Sequence, residues 1–273
     1  MADYDLITIE EYKNYIEDVG SEHDVIYQEL ITRASEFIEE YTRRKIKTRT
    51  FTHERYDGND KDYLFIENYP VTAIERISIG TLDAIKIYYD SDTVYNAYAK
   101  VSTTGVTLVV DGTAGSELAF STYTTLLDMA TAINGQSSWT SSVAISDYNS
   151  WPSTLIYLQQ NVYAVQTYGY LKVPDEPIYD YKPDATRGII YYSTGFDSGV
   201  QNIFITYTAG YSDAPEVLKM FCCELVKQKF DQSNLDLNLK SEKMGDYSYT
   251  KADLEGLPKD ILMEVDLYKR PIV

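Results

Sequence analysis

The chain is poor in the residues that most directly announce chemistry. It has 273 residues but only two histidines, His23 and His53, two cysteines, Cys222 and Cys223, and two tryptophans. Two histidines in unrelated contexts exclude a histidine-rich metal centre. The cysteines are neighbours, and adjacent residues rarely meet the geometry of a disulfide, so a disulfide framework and a thiolate zinc site are both excluded. No stretch approaches the roughly 20 apolar residues that span a bilayer. The opening MADYDLITIEEY lacks the basic start and apolar run of a signal peptide, so the expectation is a product made in the host cytoplasm and used without secretion or a membrane. Positive charge is scarce as well, with 24 Lys and Arg against 42 Asp and Glu, a net charge of −18. A pI near 4.4 argues against a surface built to grip phosphates.

What is present in excess is tyrosine, 27 residues against 8 phenylalanines. Tyrosine joins apolar area to a hydroxyl, which suits half-buried strands and wet protein interfaces. With 44% hydrophobic residues and a mean hydropathy of −0.32, the chain is globular and large enough for one big core or two modest ones.

Charge is unevenly placed. Residues 1–40 hold twelve acids and two bases, a net of −10, whereas Arg43, Arg44, Lys45, Lys47 and Arg49 follow with no acid among them. Cations at a helix C-terminus complement the macrodipole. They also offer a contact for an acidic neighbouring subunit, and the two readings are compatible. Glu29, Glu36, Glu39 and Glu40 read either as a solvated helix face or as an acidic lining.

Periodicity gives the elements. Thr8 and Glu11 form a capping-box start for a helix over 9–18. A longer helix over 23–42 carries Ile26, Leu30, Ala34, Phe37, Ile38 and Tyr41 on one face. Residues 50–56, the turn Asp57-Gly58-Asn59-Asp60 and Tyr63–Ile66 predict a β-hairpin. A strand over 73–79 ends at Gly80. Further on, 188–192 and 202–207 read as strands. Asp213, Pro215 and Glu216 then supply cap, early-turn proline and capping-box acid for a helix that buries Leu218, Phe221, Cys222, Leu225 and Val226. The cysteines are thus core filling. A final short helix begins near Pro258, with Ile261, Leu262, Val265 and Tyr268 along one side.

Residues 83–186 differ in texture, with twelve tyrosines, both tryptophans, Trp139 and Trp151, and strings of Ser and Thr. A strand and turn over 105–112, a helix over 124–134 and a strand over 139–145 predict an inserted α+β domain. Insertion into a surface loop costs little closure entropy if the chain enters and leaves at neighbouring points. The expected class is α+β. A helical core with a small sheet occupies 1–82 and 187–273, the insertion occupies 83–186, and a C-terminal arm with a short helix occupies 231–273.

The outer segments carry motifs in a recognisable order: RTFTHERYDGND, NYPVTAIERISI, ITYTAGY (Ile205–Tyr211), DAPEVLK, SEKMGDYSYT (Ser241–Thr250), and a GLP-initiated helix ending in YKRP. Together they resemble the head–tail connector, or head completion, proteins of long-tailed bacteriophages, over about 170 residues of this chain. The insertion departs from that family's compact pattern. The resemblance implies a structural virion protein that is not an enzyme and needs no cofactor. It implies a ring of about twelve subunits closed by cyclic symmetry beneath the portal protein. Its partners would be the portal, a stopper or tail-completion protein, and identical subunits, with DNA passing by without specific binding. It also implies that a portal-contacting arm comprises Ser241, Glu242, Lys243, Met244, Gly245, Asp246, Tyr247, Ser248, Tyr249 and Thr250 and extends to Pro271, Ile272 and Val273.

Two observations on the residues agree with that role. A channel through which DNA slides should not neutralise phosphates, since each neutralised phosphate adds affinity, and the N-terminal acidity satisfies this. The sign inversion after residue 42 gives one subunit surfaces of both signs. Other chemistry finds little support. Asp57–Asp62 has spaced oxygens, but Asp62 and Asn68 stand where a calcium loop needs Gly and Glu. No nucleophile elbow, Walker loop or dinucleotide motif occurs, and carboxylate pairs are too common here to indicate a hydrolase. His53 is expected on an exposed strand face. A second reading, a carbohydrate- or surface-binding β module, would use Trp139 and Trp151 as stacking platforms.

Overall fold

The computed structural model describes residues 4–234, 241–244, 247–250 and 259–270, with side chains over 4–231 and 263–270. Helices α1 (Ile9–Ile16) and α2 (Asp24–Thr42) open the chain, followed by β1 (Arg49–Gly58), β2 (Lys61–Phe65) and β3 (Val71–Ile79). The middle contains β4 (Thr81–Tyr89), β5 (Ala97–Val101), β6 (Gly105–Val110), β7 (Thr113–Ala114), β8 (Leu118–Ala119), α3 (Leu126–Asn134), β9 (Trp139–Val143), β10 (Val162–Tyr163) and β11 (Gly169–Pro174). Then come β12 (Tyr181–Asp184), β13 (Ile189–Phe196), β14 (Gly199–Ala209), α4 (Glu216–Asn234), β15 (Ser241–Met244), β16 (Tyr247–Thr250) and α5 (Lys259–Asp266). The fold is α+β, with antiparallel pairing throughout the strand ladders.

The helices gather around one apolar cluster. In α1 the Thr8 hydroxyl accepts from the Glu11 N–H at 3.1 Å and the Glu11 carboxylate accepts from the Thr8 N–H at 2.7 Å, so two orphan donors are satisfied reciprocally. The buried stripe of α2 is Tyr27, Ile31, Ala34, Ser35, Ile38, Glu39 and Thr42. This corrects the expected face, because Ile26 and Phe37 are exposed. The stripe takes in polar residues because they are satisfied: Ser35 Oγ accepts from the Leu6 N–H at 2.9 Å and Thr42 Oγ1 donates to the Ile38 carbonyl at 2.8 Å. Against α2 lies α4, which buries Leu218, Phe221, Cys222, Cys223, Leu225 and Val226. Burial pushes the Cys222 thiol up to about 12 and that of Cys223 to about 11, so both are unreactive packing groups. Asp213 is drawn to Lys219 at 2.8 Å, and the same ammonium reaches Glu11 at 3.1 Å, tying α1 to α4.

A second cluster joins two three-stranded sheets, ordered β1-β14-β3 and β12-β13-β2. The expected hairpin between β1 and β2 does not form. Its strands and turn are present, but β1 pairs with β14 and β2 with β13. The reason lies at the turn. Asp60 N–H bonds to the Phe196 carbonyl at 2.8 Å, and at Gly58 a Cβ would stand 1.7 Å from the Asp197 carbonyl oxygen. The 197–199 turn occupies the space a local ladder would need.

The third cluster is drawn from Leu82–Val173 alone. Here β11-β4-β9 and β10-β5-β6-β7, with β8 also on β6, enclose α3. Thr81 and Pro174 are register partners, and the Asp175 N–H bonds to the Gly80 carbonyl at 3.1 Å, so the chain enters and leaves at one point. Helix α3 has its own capping box, Thr125 with Asp128. Trp139 is buried with its ring edge-on to Tyr89, and half-buried Trp151 packs on Tyr148, which removes the open platforms a stacking module would need. β12, although within 83–186, pairs with β13 outside it.

Candidate functional site

The basic turn is organised by one buried acid. Arg43 adopts φ 57 at the end of α2, in the left-handed region, and reverses the chain so that residues 44–49 fold back over the last helical turn. Glu39, 6% exposed, lies under that turn. Its Oε1 accepts from the Ile46 N–H at 3.1 Å and from Arg49 Nη2 at 2.7 Å, and Oε2 accepts from Lys45 Nζ at 3.1 Å. Arg49 also lies 3.7 Å above the Tyr4 ring. Arg44, 4% exposed, stacks its guanidinium 3.9 Å from the Tyr69 ring centre and 5.7 Å from that of Tyr211.

The five basic residues therefore do not form one surface. Arg44 is interior, and Lys45 and Arg49 are committed to Glu39, because an ionised acid can stay buried only if charge and hydrogen bonds surround it. Arg43 is exposed and Lys47 half-buried, so these two are the cations of the patch available to a neighbour. The acidic set is corrected in the same way. Glu29, Glu36 and Glu40 are exposed, with Glu29 paired to Arg33, whereas Glu39 is neither a solvated face nor a lining.

Next to this turn is a polar network that the sequence reading did not identify. Tyr56 and Tyr207 both donate their hydroxyls to Glu54, and their oxygens lie 3.2 Å apart. Tyr56 Oη accepts from the Glu67 N–H at 2.9 Å and Tyr207 Oη from Asn68 Nδ2 at 3.3 Å. Asn68 Oδ1 accepts from the Lys45 N–H at 2.8 Å, which connects the network to the basic turn. Burial pushes the Glu54 carboxyl up, while the two tyrosine hydrogen bonds pull it down. The one available signal was the tyrosine excess in strands with an acid between them.

The C-terminal segment returns to the same corner. Tyr41 donates to Asp266 at 2.8 Å, Lys269 Nζ lies 3.8 Å from the Tyr41 ring centre, and the Arg270 N–H bonds to the Thr42 carbonyl at 3.0 Å. Arg270 also pairs with Glu67 at 2.7 Å. Of the arm residues expected from the motifs, Ser241–Met244 and Tyr247–Thr250 pair as an antiparallel hairpin, Ser241 opposite Thr250 and Met244 opposite Tyr247. Gly245, Asp246, Pro271, Ile272 and Val273 lie outside the described residues.

His53 is not an exposed strand residue. It adopts φ 51 at a register shift between β1 and β14 and is half-buried. Burial, with the Arg76 and Arg55 guanidiniums nearby, pushes its imidazole down to about 4. Among the described residues no group of three or more His, Cys, Asp or Glu side chains is placed to hold a metal ion, and no helix is long and apolar enough to cross a membrane.

Residues 5–133 match the model of the family described as "Head completion protein". The match runs from α1 through most of α3 and so crosses residue 82. No curated protein matches the chain. Among solved structures, the chain is similar to one described as "Neck of empty GTA particle computed with C6 symmetry", at 9% identity and a TM-score of 0.41, covering 100% of this chain and 94% of that one. Residues 5–133 are thus similar to the head completion protein family, the same family that the chain's terminal motifs resemble.

Proposed function

We propose that this protein is a structural component of the virion neck. It assembles as a ring of identical subunits beneath the portal, joins the DNA-filled capsid to the tail and forms part of the DNA exit channel. The observation that carries the reading is the family match over residues 5–133. The surface is consistent with it. Exposed Glu29, Glu36 and Glu40 give α2 an acidic face that would not hold passing DNA, and Arg43 and Lys47 offer a nearby acidic surface a partner. A ring needs two different faces on each subunit, and the acidic side of α2 differs in charge from the basic turn that follows it. In this reading the chain acts without catalysis or cofactor. The β15–β16 hairpin is the core of a portal-contacting arm, and the 82–173 unit is an insertion that enlarges the contact with portal, capsid or tail-completion protein. Native mass measurement of the purified protein, alone and mixed with its portal, tests the assembly. Closed multiples of the subunit mass that persist on the portal are expected, and a protein that stays monomeric and never co-purifies with a portal would contradict it.

A further inference from the structure

Where β1 meets residues 154–158, the surface opens into a cavity of about 810 Å³. Its floor is apolar, with Phe120 and Ile156, both almost completely buried in the 82–173 core. Its rim is polar, with hydroxyls such as Thr52 and Ser102, and it carries His53 and Arg55. No carboxylate lines it, in a chain with 42 acidic residues. Local structure holds this arrangement in place. The β1 register shift at His53 re-aims that side chain, and the His53 N–H donates to Thr206 Oγ1 at 3.2 Å. Arg55 straps the far wall by donating Nη2 to the Leu158 carbonyl at 2.6 Å and lying 4.7 Å from the Tyr157 ring centre. The cavity is therefore a preformed recess with an apolar bottom, one guanidinium and no carboxylate on its lining.

The same chain exposes a knob of the opposite character. The connection between α1 and α2 carries Glu17, Asp18 and Glu22 around Val19, which is 100% exposed. The tip is ordered. Asp18 accepts from the Gly20 N–H at 2.8 Å and from the Tyr27 hydroxyl at 3.0 Å, and Glu17 holds the left-handed cap of α1 at φ 57. A rigid tip loses little conformational entropy on docking.

We propose that the α1–α2 tip of one subunit docks into the β1 cavity of the next, with Val19 against Tyr157 and Leu158 at its wall and the carboxylates of Glu17 or Glu22 facing Arg55. The contact joins unlike faces, as a closed ring requires, and rests on the ring assembly proposed above. Complementary charge sets the register, and the apolar tip supplies the desolvated centre.

The test is a cysteine pair, Val19→Cys with Thr154→Cys, oxidised in assembled rings; Cys222 and Cys223 are buried and leave the background low. A ladder of covalent multimers is expected from the double variant and none from either single one. Val19→Asp, at a site without packing contacts, should weaken assembly at least tenfold. Arg55→Glu should do the same and be partly rescued by Glu17→Arg. Rings that form normally with Val19→Asp and Arg55→Glu and give no cross-link would overturn the proposal while leaving the ring reading intact. Loss of portal binding by Val19→Asp with rings unaffected would assign the tip to another partner and overturn it too. Failure of the unmodified protein to form rings under any condition, portal included, would remove the ring reading and the proposal together.

Discussion

The helical region and the 82–173 unit bury comparable apolar clusters but treat polar groups in opposite ways. Around α2, Asp5, Glu39 and Arg44 are buried together with Ser35, Thr42 and Asn68, and several of them hold chain turns in place. Within 82–173 the one buried polar side chain is Ser153, whose hydroxyl donates to the Tyr123 carbonyl at 2.5 Å. Apolar packing is tolerant of direction, whereas a buried charge demands partners at fixed positions. The first region thus has its geometry specified at the corner where α2, the basic turn and the C-terminal return meet, and the second is held by volume.

That contrast can be broken or sharpened by substitution. The largest effect is expected at Glu39→Ala, which leaves Arg49 and the Ile46 N–H without their acceptor. A loss of about 3–5 kcal/mol in chemical denaturation is the outcome for removing one partner of a buried ion pair. A loss below 1 kcal/mol would show that the corner is not organised by Glu39. Next, Ile133→Ala in α3 should cost about 3 kcal/mol by cavity formation, with no dependence on salt.

His53 gives a smaller, pH-dependent term. Its folded-state value, about 4, lies below the ordinary histidine value of 6.5, so the unfolded chain binds the proton more readily. Stability from the neutral imidazole is present above pH 6.5 and is lost as pH falls through 4. The amplitude is about 2 kcal/mol after allowance for solvent at a half-buried site. His53→Asn, which tolerates the left-handed conformation, should flatten that part of the melting-temperature profile relative to the parent protein. The smallest stability effect belongs to Arg43→Glu with Lys47→Glu, within about 0.5 kcal/mol because neither is buried. Assembly should nevertheless weaken, most at low salt, and unchanged assembly at both low and high salt would remove these two residues from the interface.

Local patterning revealed most elements and few of their partners. The capping box of α1, the extent of α2, the face of α4 and the helix over 126–134 were legible because each depends on spacing within one turn or two. The β1–β2 pairing was misread because register between strands more than 120 residues apart leaves no local trace, whereas a YDGND turn between two apolar runs does. The burial of Glu39 was hidden by Arg43, since a non-glycine left-handed cap folds the chain back without a sequence signal. The same cause split the basic cluster into interior and exposed members. The return of residues 266–270 to α2 is likewise a long-range contact. The resemblance was visible through motifs whose order was informative even where each was short, and the family match over 5–133 lies in a different part of the chain from the C-terminal motifs.

Imaging of the intact virion neck tests the central claim most directly. The account predicts a closed ring of this chain under the portal, with the acidic face of α2 toward the channel and the β15–β16 hairpin reaching the portal. A neck in which this chain is absent, or present as isolated copies away from the portal, would contradict it.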